Sequence, residues 1–76
     1  MYQPSDLQKI TLQNNFTYHA PKPGQPDRYE DIRKDAGELA ALLTRYCPES
    51  RELSLAITNL EQAVFWANAA IARHEP

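Results

Sequence analysis

Two apolar stripes, separated by a four-residue break at positions 47–50, constrain the fold more than any other feature. In each stripe the apolar residues recur at alternating steps of three and four, as one face of an α-helix requires. Pro48 stops the first helix, and Ser50 is a good N-cap for the second. Because so short a turn makes the two helices antiparallel neighbours, the pattern predicts a helical hairpin with helices at 28–47 and 51–73. The stripe residues are Tyr29, Ile32, Ala36, Leu39, Leu43 and Tyr46 in the first helix, and Leu53, Ile57, Leu60, Val64, Ala67 and Ile71 in the second.

The start of the first predicted helix is marked by Asp27, a favourable N-cap with Glu30 three residues on. Gly37 is unfavourable inside a helix, and a close backbone crossing would explain it. We call the residues before this helix, 1–27, the N-terminal strap. Its prolines favour an extended chain at 20–26, whereas 6–13 is either a short helix capped by Ser5 or extended. The aromatic residues Phe16 and Tyr18 suggest that the strap docks on another surface.

Seventy-six residues make one domain, 1–76, with a small core. The only cysteine, Cys47, forms no intrachain disulfide and is predicted to be a small buried hydrophobe. The two histidines lie far apart in the chain, so we expect no metal site and no cofactor. Apolar residues also remain outside the stripes, and these would be wet in a lone hairpin. We therefore expect an all-α protein that assembles into a homo-oligomer. The residues left over are Leu42, Ala56, Ala63, Phe65, Trp66 and Ala70.

The charge distribution limits the partners. The net charge is −2 and no block of like charge occurs, which argues against binding of long nucleic acid through phosphates alone. A pocket for one small anion needs only two or three cations and remains possible. The N-terminal residues lack the features of a signal peptide, and no apolar run is long enough to cross a bilayer. We therefore expect a cytoplasmic protein without a membrane partner.

A polar stripe runs beside the apolar one on the last helix and holds short polar groups where a solvated face usually has long charged ones. It predicts either a ligand wall or a hydrogen-bonded network at a subunit interface. Arg51, next to the Ser50 cap, suits a phosphate, although a first-turn arginine is commonly just solvated. The stripe consists of Ser54, Thr58, Glu61, Phe65 and Asn68.

A second candidate cluster lies where the strap meets the first helix: Lys22, Arg28, Tyr29 and Arg33. Arg28 and Lys22 suit phosphate, and Tyr29 suits stacking on a base. The alternative keeps Tyr29 in the apolar stripe and pairs Arg33 or Lys34 with Glu30 or Glu38 across a helical turn. Neither His19 nor His74 has a nucleophile at a recognisable spacing, and there is no Gly-rich phosphate loop, so we expect a protein that is not an enzyme.

The last helix carries a resemblance. Its residues Ser50-Arg51-Glu52, Ser54-Leu55-Ala56, Thr58, Leu60-Glu61, Ala63 and 66–73, preceded by Arg28-Tyr29 and Ile32-Arg33, resemble the phage helical-hairpin domain shared by anti-CBASS and anti-Thoeris sponge proteins. The resemblance covers about residues 16–75. It implies a compact homo-oligomer, often a hexamer, that binds cyclic nucleotide second messengers between protomers without cleaving them, in the cytoplasm of an infected bacterium.

By the same resemblance, the ligand is a cyclic di- or trinucleotide or a cyclic ADP-ribose isomer. The chain lacks the additional domain of some anti-Thoeris members, which favours the cyclic oligonucleotides. The implied ligand-binding residues are Arg51, Ser54, Thr58 and Glu61, then Arg28, Tyr29 and Arg33, and in the strap His19 and Lys22. The rival interpretations are a hairpin module that only mediates protein assembly, a small DNA-binding regulator, and an enzyme that degrades the nucleotide.

Overall fold

The computed structural model describes residues 1–76 and contains three helices and no strand. They are α1 (Asp6–Asn15), α2 (Gln25–Tyr46) and α3 (Arg51–His74). The four residues between α2 and α3 fold α3 back along α2, which gives the predicted hairpin. The fold class is therefore all-α, and α1 lies within the N-terminal strap.

Two helix starts follow the capping residues read from the sequence. Ser5 caps α1 and forms a capping box with Gln8, so the helical alternative for this part of the strap is correct. Ser50 caps α3, and its Oγ accepts a hydrogen bond from the Leu53 amide at 3.1 Å. Glu52 lies in the first turn of α3, where a negative charge is favourable.

The start of α2 differs from the prediction. Its N-cap is Gly24, whose φ of 84° is readily adopted only by glycine, so the assignment of Asp27 as N-cap is wrong. The helix begins at Gln25 instead of residue 28 and ends at Tyr46 instead of residue 47. Pro26 does not prevent this, because an amide in the first helical turn has no partner within the helix. The expectation of an extended chain over 20–26 is therefore wrong for its second half: Pro23 and Gly24 form a turn, in which the Gln25 amide donates to the Lys22 carbonyl at 3.0 Å, and the helix follows.

The apolar stripe of α3 faces α2 as predicted, and all six of its residues are partly buried. In α2 the first half of the predicted stripe is partly buried, but in the second half the buried face is rotated by one residue. Leu39 and Tyr46 expose 44% and 78% of their surface, whereas Ala40 is partly buried. A straight helix has 3.6 residues per turn, so a strict alternation of three and four drifts off the contact line.

The protomer is a single layer of helices without a closed core. It measures 48 × 39 × 13 Å, and its short dimension is close to the diameter of one helix. No apolar residue is fully buried; the only buried residue is Gln25, at 3% exposure. The radius of gyration is 16.8 Å, whereas a compact chain of this length has about 11 Å. A stable domain normally has two packed layers, and this chain supplies one.

The exposed surface area also shows that the protomer is less compact than a stable monomer. The protomer exposes 6504 Å², whereas a compact monomer of its mass exposes about 4,700 Å². The difference, roughly 1,800 Å², exceeds the about 800 Å² that each partner buries in a standard protein interface. Phe65 and Trp66 contribute to it, and both are 67% exposed as expected for residues outside the stripes.

Two further expectations fail within the protomer. Cys47 is exposed, because it follows the last helical residue of α2 and enters the turn rather than the helix contact. Gly37 meets no close backbone, since a Cβ built there has no atom of another residue within 4 Å. None of the three helices is long and apolar enough to cross a membrane.

Candidate functional site

Two grooves meet at Arg33 and Asn68, which line both of them. The first, which we call the central groove, lies between α2 and α3 and encloses about 470 Å³. Small residues of α2 form one wall, and Glu61 and Phe65 of α3 stand on the other. The groove is therefore largely apolar, with a cation and a carboxylate among its lining residues. Its remaining lining residues are Ala36, Gly37, Ala40, Ile57, Leu60 and Val64.

The second groove, which we call the strap groove, has a volume of about 450 Å³ and lies between the strap, the N-terminal part of α2 and the C-terminal part of α3. It brings together three of the residues predicted from the sequence: His19, Tyr29 and Arg33. Tyr29 is half-buried, so it belongs both to the apolar stripe and to a groove wall. The other lining residues are Asn15, Thr17, Tyr18, Asn68, Ala69, Ala72 and Arg73.

Polar contacts with the end of α3 hold the strap in place. The Asn14 side-chain amide donates to the Arg73 carbonyl at 3.1 Å, and Arg73 donates in return to the Asn15 carbonyl at 3.4 Å. The His19 Nε2–H donates to the Asn14 carbonyl at 2.8 Å. Since a carbonyl only accepts, Nε2 carries the proton, and Nδ1 is the acceptor of the neutral ring. The strap groove therefore depends on contacts between residues nearly sixty positions apart.

Arg33 is a free cation at the junction of the grooves. The one ion pair in the structure joins Arg28 to Glu75, so the alternative in which Arg33 or Lys34 pairs with Glu30 or Glu38 is not observed. Beside Arg33, the Asn68 Oδ1 is buried without a hydrogen-bond donor. A buried unsatisfied acceptor costs about 1–3 kcal/mol, so such groups usually have a partner. The junction thus offers one unpaired charge and one unpaired acceptor.

Two other predicted residues, Lys22 and Arg28, lie in a separate group with Gln25 and Glu75, which we call the Glu75 cluster. Arg28 donates from both terminal nitrogens to the Glu75 carboxylate at 2.6 Å, and Gln25 donates to the same carboxylate at 2.8 Å. The Lys22 Nζ donates to the Glu75 main-chain carbonyl at 3.1 Å. The hydrogen bond from Arg28, followed by that from Gln25, lowers the pKa of Glu75 to about 2. The same pairing raises the pKa of Arg28.

The remaining predicted residues lie towards the turn. Arg51, Ser54 and Thr58 are exposed and line neither groove; the Ser54 hydroxyl donates to the Ser50 carbonyl at 3.2 Å. Arg51 is 17 positions before Asn68 on one straight helix, a separation of about 25 Å at 1.5 Å per residue. One protomer therefore does not bring Arg51 together with Arg33 around a small ligand.

Four residues with structural roles lie outside the site that the sequence predicts. Asn68 was recognised in the polar stripe, but its place between two grooves follows only from the packing of the strap. Gln25, Arg73 and Glu75 gave no signal, because their partners are 46 to 59 positions away. No group of three or more His, Cys, Asp or Glu side chains is arranged to hold a metal ion.

Comparison with known proteins identifies a matching family. A family model described as the Acb2/Tad1 hairpin domain matches residues 8–72. The match covers α2 completely and omits only the first two residues of α1 and the last two of α3. No curated protein and no solved structure matches the chain.

Proposed function

The chain belongs to the Acb2/Tad1 hairpin-domain family, which is the anti-CBASS and anti-Thoeris sponge family, and from this we propose that it binds a cyclic nucleotide second messenger and sequesters it without cleaving it. The family match over residues 8–72 carries the proposal. The ligand classes are cyclic di- and trinucleotides, with cyclic ADP-ribose isomers as the second choice. The protein acts in the cytoplasm of a phage-infected bacterium, where it keeps CBASS- or Thoeris-type effectors inactive.

The proposed site starts at the junction of the two grooves. Arg33 supplies a charge for a phosphate, and Tyr29, half-buried in the same groove, supplies a ring on which a base stacks. His19 adds a hydrogen-bonding group from the strap, and Glu61 a carboxylate from the central groove. A ligand with bases and phosphates alternating around a ring requires this mixture of aromatic, cationic and polar side chains.

Assembly is the second part of the proposal. The protomer is one helix layer with about 1,800 Å² more exposed surface than a compact monomer of its mass. We propose that a homo-oligomer, with a hexamer as the expected form, covers this surface. A neighbouring protomer then supplies Arg51, Ser54 and Thr58, which line neither groove of their own chain.

Sequestration requires only affinity and stoichiometry. With the protein in excess and a nanomolar Kd, worth about −12 kcal/mol, the free messenger falls below the level that its effectors detect. No chemical step is needed, so the proposed residues only bind the ligand and orient it.

Calorimetry tests the proposal. The purified protein is titrated with a panel of cyclic di- and trinucleotides and cyclic ADP-ribose isomers, and the bound ligand is then released by heat and identified. We expect saturable binding of at least one ligand and its recovery intact. An altered product would indicate an enzyme, and an absence of heat across the panel would refute messenger binding.

A pair of variants one position apart makes the test specific. Arg33→Ala should weaken binding about tenfold or more, as the loss of a charge-assisted hydrogen bond implies. The control is Lys34→Ala, which removes the same charge from a residue that lines neither groove. Equal effects of the two variants would show that only the overall charge matters, and would exclude a site at the groove junction.

A second candidate is a hairpin module that only assembles, with no small-molecule ligand. The exposed apolar side chains Leu55, Phe65 and Trp66 favour it, because assembly alone accounts for them. A stable oligomer that binds no member of the panel would support this function.

A further inference from the structure

Glu75 holds two of the cations that the sequence predicts for an anionic ligand. Its carboxylate accepts both terminal N–H groups of Arg28 at 2.6 Å and the Gln25 side-chain amide at 2.8 Å. Lys22 approaches the same residue and donates to its main-chain carbonyl at 3.1 Å. Three residues from the strap and the first turns of α2 thus converge on one residue beyond the end of α3.

The arrangement is that of an occupied anion site. A carboxylate and a phosphate both present two oxygens to the paired N–H groups of an arginine, so the geometry that holds Glu75 also holds a phosphate. The Gln25 amide and the Lys22 ammonium are further donors of the kind that phosphate accepts. We propose that Glu75 is an internal competitor at this Lys22–Arg28 site, so that a phosphate of the ligand binds there by displacing the Glu75 carboxylate. This inference rests on the proposed function, because it assigns a second phosphate contact to the same ligand.

The competitor is placed where it can leave. The side chains of Glu75 and Arg28 are 32% and 49% exposed, so ligand and water reach both. Glu75 follows the last helical residue of α3 and has an extended backbone conformation, so its displacement breaks no helical hydrogen bond of its own. Exposed ion pairs contribute little net stability, so little free energy is lost when the Glu75 carboxylate leaves. The phosphodiester of a cyclic nucleotide then presents two oxygens, which share one negative charge, to the same donors.

Displacement of Glu75 need not detach the strap. Asn14 and Arg73 hold it through two main-chain contacts that do not involve Glu75, and Gln25 keeps its hydrogen bond to the Lys22 amide. The low pKa of Glu75, about 2, keeps it negatively charged at neutral pH, so the competition is between two anions. Because the ligand phosphate must displace Glu75, its affinity for Lys22 and Arg28 is lower than these two cations alone would give.

The test compares Glu75→Gln with a matched control, Glu52→Gln. Glu52 lies in the first turn of α3 and forms no ion pair, whereas Glu75 follows the last residue of α3, so each variant removes one negative charge at an end of this helix. Binding is measured with pyrophosphate and with a cyclic nucleotide that the wild type binds. Glu75→Gln should tighten both by about threefold or more, in line with the loss of an exposed ion pair, and Glu52→Gln should change neither. Adding Arg28→Ala to Glu75→Gln should abolish the gain.

A measurement on the wild type covers the case in which Glu75→Gln disturbs the fold. The Glu75 carboxyl ¹³C resonance should move on saturation with ligand, as its partners exchange from Arg28 and Gln25 to water. An unmoved resonance, or a well-folded Glu75→Gln variant that binds pyrophosphate no better than wild type, would overturn the inference. If the wild type binds no cyclic nucleotide, the proposed function fails; an Arg28-dependent gain in pyrophosphate binding would still support the competition.

Discussion

The prediction with the clearest magnitude concerns Phe65, which stands exposed beside Trp66 on the open face of α3. Phe65 exposes 67% of its surface, which is about 130 Å² of a side chain that buries about 150–250 Å² when fully covered. At about 25 cal/mol per Å², covering it in an oligomer contributes about 3 kcal/mol per protomer, of which alanine retains a small part. Phe65→Ala should therefore weaken assembly by about 2–3 kcal/mol for each Phe65 side chain in the interface. This is roughly a hundredfold in the dissociation constant.

The chain contains its own reporter for this experiment. Trp66 is the only tryptophan and is 67% exposed in the protomer, so its emission should shift to the blue on assembly and to the red on dilution. The dilution midpoint of Phe65→Ala should lie roughly a hundredfold above that of wild type, with sedimentation equilibrium giving the masses. The control is Tyr46→Ala, which removes an aromatic residue that is 78% exposed beside the turn and lines neither groove.

Wild-type protein would contradict this prediction if it sediments as a monomer at every concentration and unfolds cooperatively with a midpoint independent of dilution. A dilution midpoint of Phe65→Ala equal to that of wild type, together with a shifted midpoint of Tyr46→Ala, would also contradict it. In the first case one helix layer would be stable alone, and in the second the interface would lie elsewhere.

Three further predictions concern stability. Ser50→Ala should destabilise the protomer by about 1 kcal/mol in urea, because it removes the N-cap of α3, whereas Ser54→Ala one turn later should cost about 0.5 kcal/mol or less. Gly37→Ala should increase helix stability by about 1 kcal/mol but weaken assembly, because its methyl group narrows the central groove, and thermal unfolding with sedimentation separates the two effects. Since the folded pKa of Glu75, about 2, lies below its ordinary value of 4.5, its stabilisation should be full above pH 4.5 and decline as the pH falls towards 2. Comparing urea unfolding of wild type and Glu75→Gln across this range measures that decline.

For each of these three predictions, one outcome would contradict it. Equal losses from the two serine variants would mean that the Ser50 hydroxyl is not a cap in solution. Gly37→Ala that strengthens assembly would show that no partner approaches the helix there. A wild-type advantage over Glu75→Gln that persists unchanged to pH 2 would mean that the carboxylate is not what Arg28 stabilises.

The hairpin was predictable because its determinants are local. Pro48 and Ser50 fix the turn within four residues, and the stripe of α3 needs only the helical period to identify its buried face. The buried face of α2 is predicted less accurately. Leu39 and Tyr46 satisfy the same alternation but are exposed, because a straight helix turns its face away from a strict seven-residue repeat.

The start of α2 was not predictable from local signals. Asp27 is the better N-cap by residue type, yet the N-cap is Gly24, and the helix begins at Gln25, three residues before the predicted start at residue 28. The Gln25 side chain accepts from the Lys22 amide and donates to Glu75, and the second partner is 50 positions away. The contact with Glu75 helps to hold Gln25 at the start of the helix, and nothing in the sequence marks a partner at that separation.

The candidate site was predictable as a set of residue types and not as an arrangement. Tyr29 and Arg33 belong to one predicted cluster of cations around an aromatic residue, and the structure places these two in one groove. Arg28 and Lys22 belonged to the same cluster by sequence, but the structure turns them towards Glu75. Adjacent positions on a helix point in different directions, so only the position of the strap decides which of them share a groove.

The geometry of α3 links assembly and binding in the proposed function. Arg51 and Asn68 lie about 25 Å apart on a straight helix, and a single ligand of nucleotide size does not reach both within one protomer. If both contribute to one site, that site contains α3 residues from two chains, and the antiparallel or crossed approach of a second hairpin is what brings them together. The surface that needs covering carries Phe65 beside the central groove, and Arg33 and Glu61 line that same groove. On this geometry a variant that dissociates the oligomer also opens the site, so loss of binding identifies a contact residue only when the oligomer has been shown to persist.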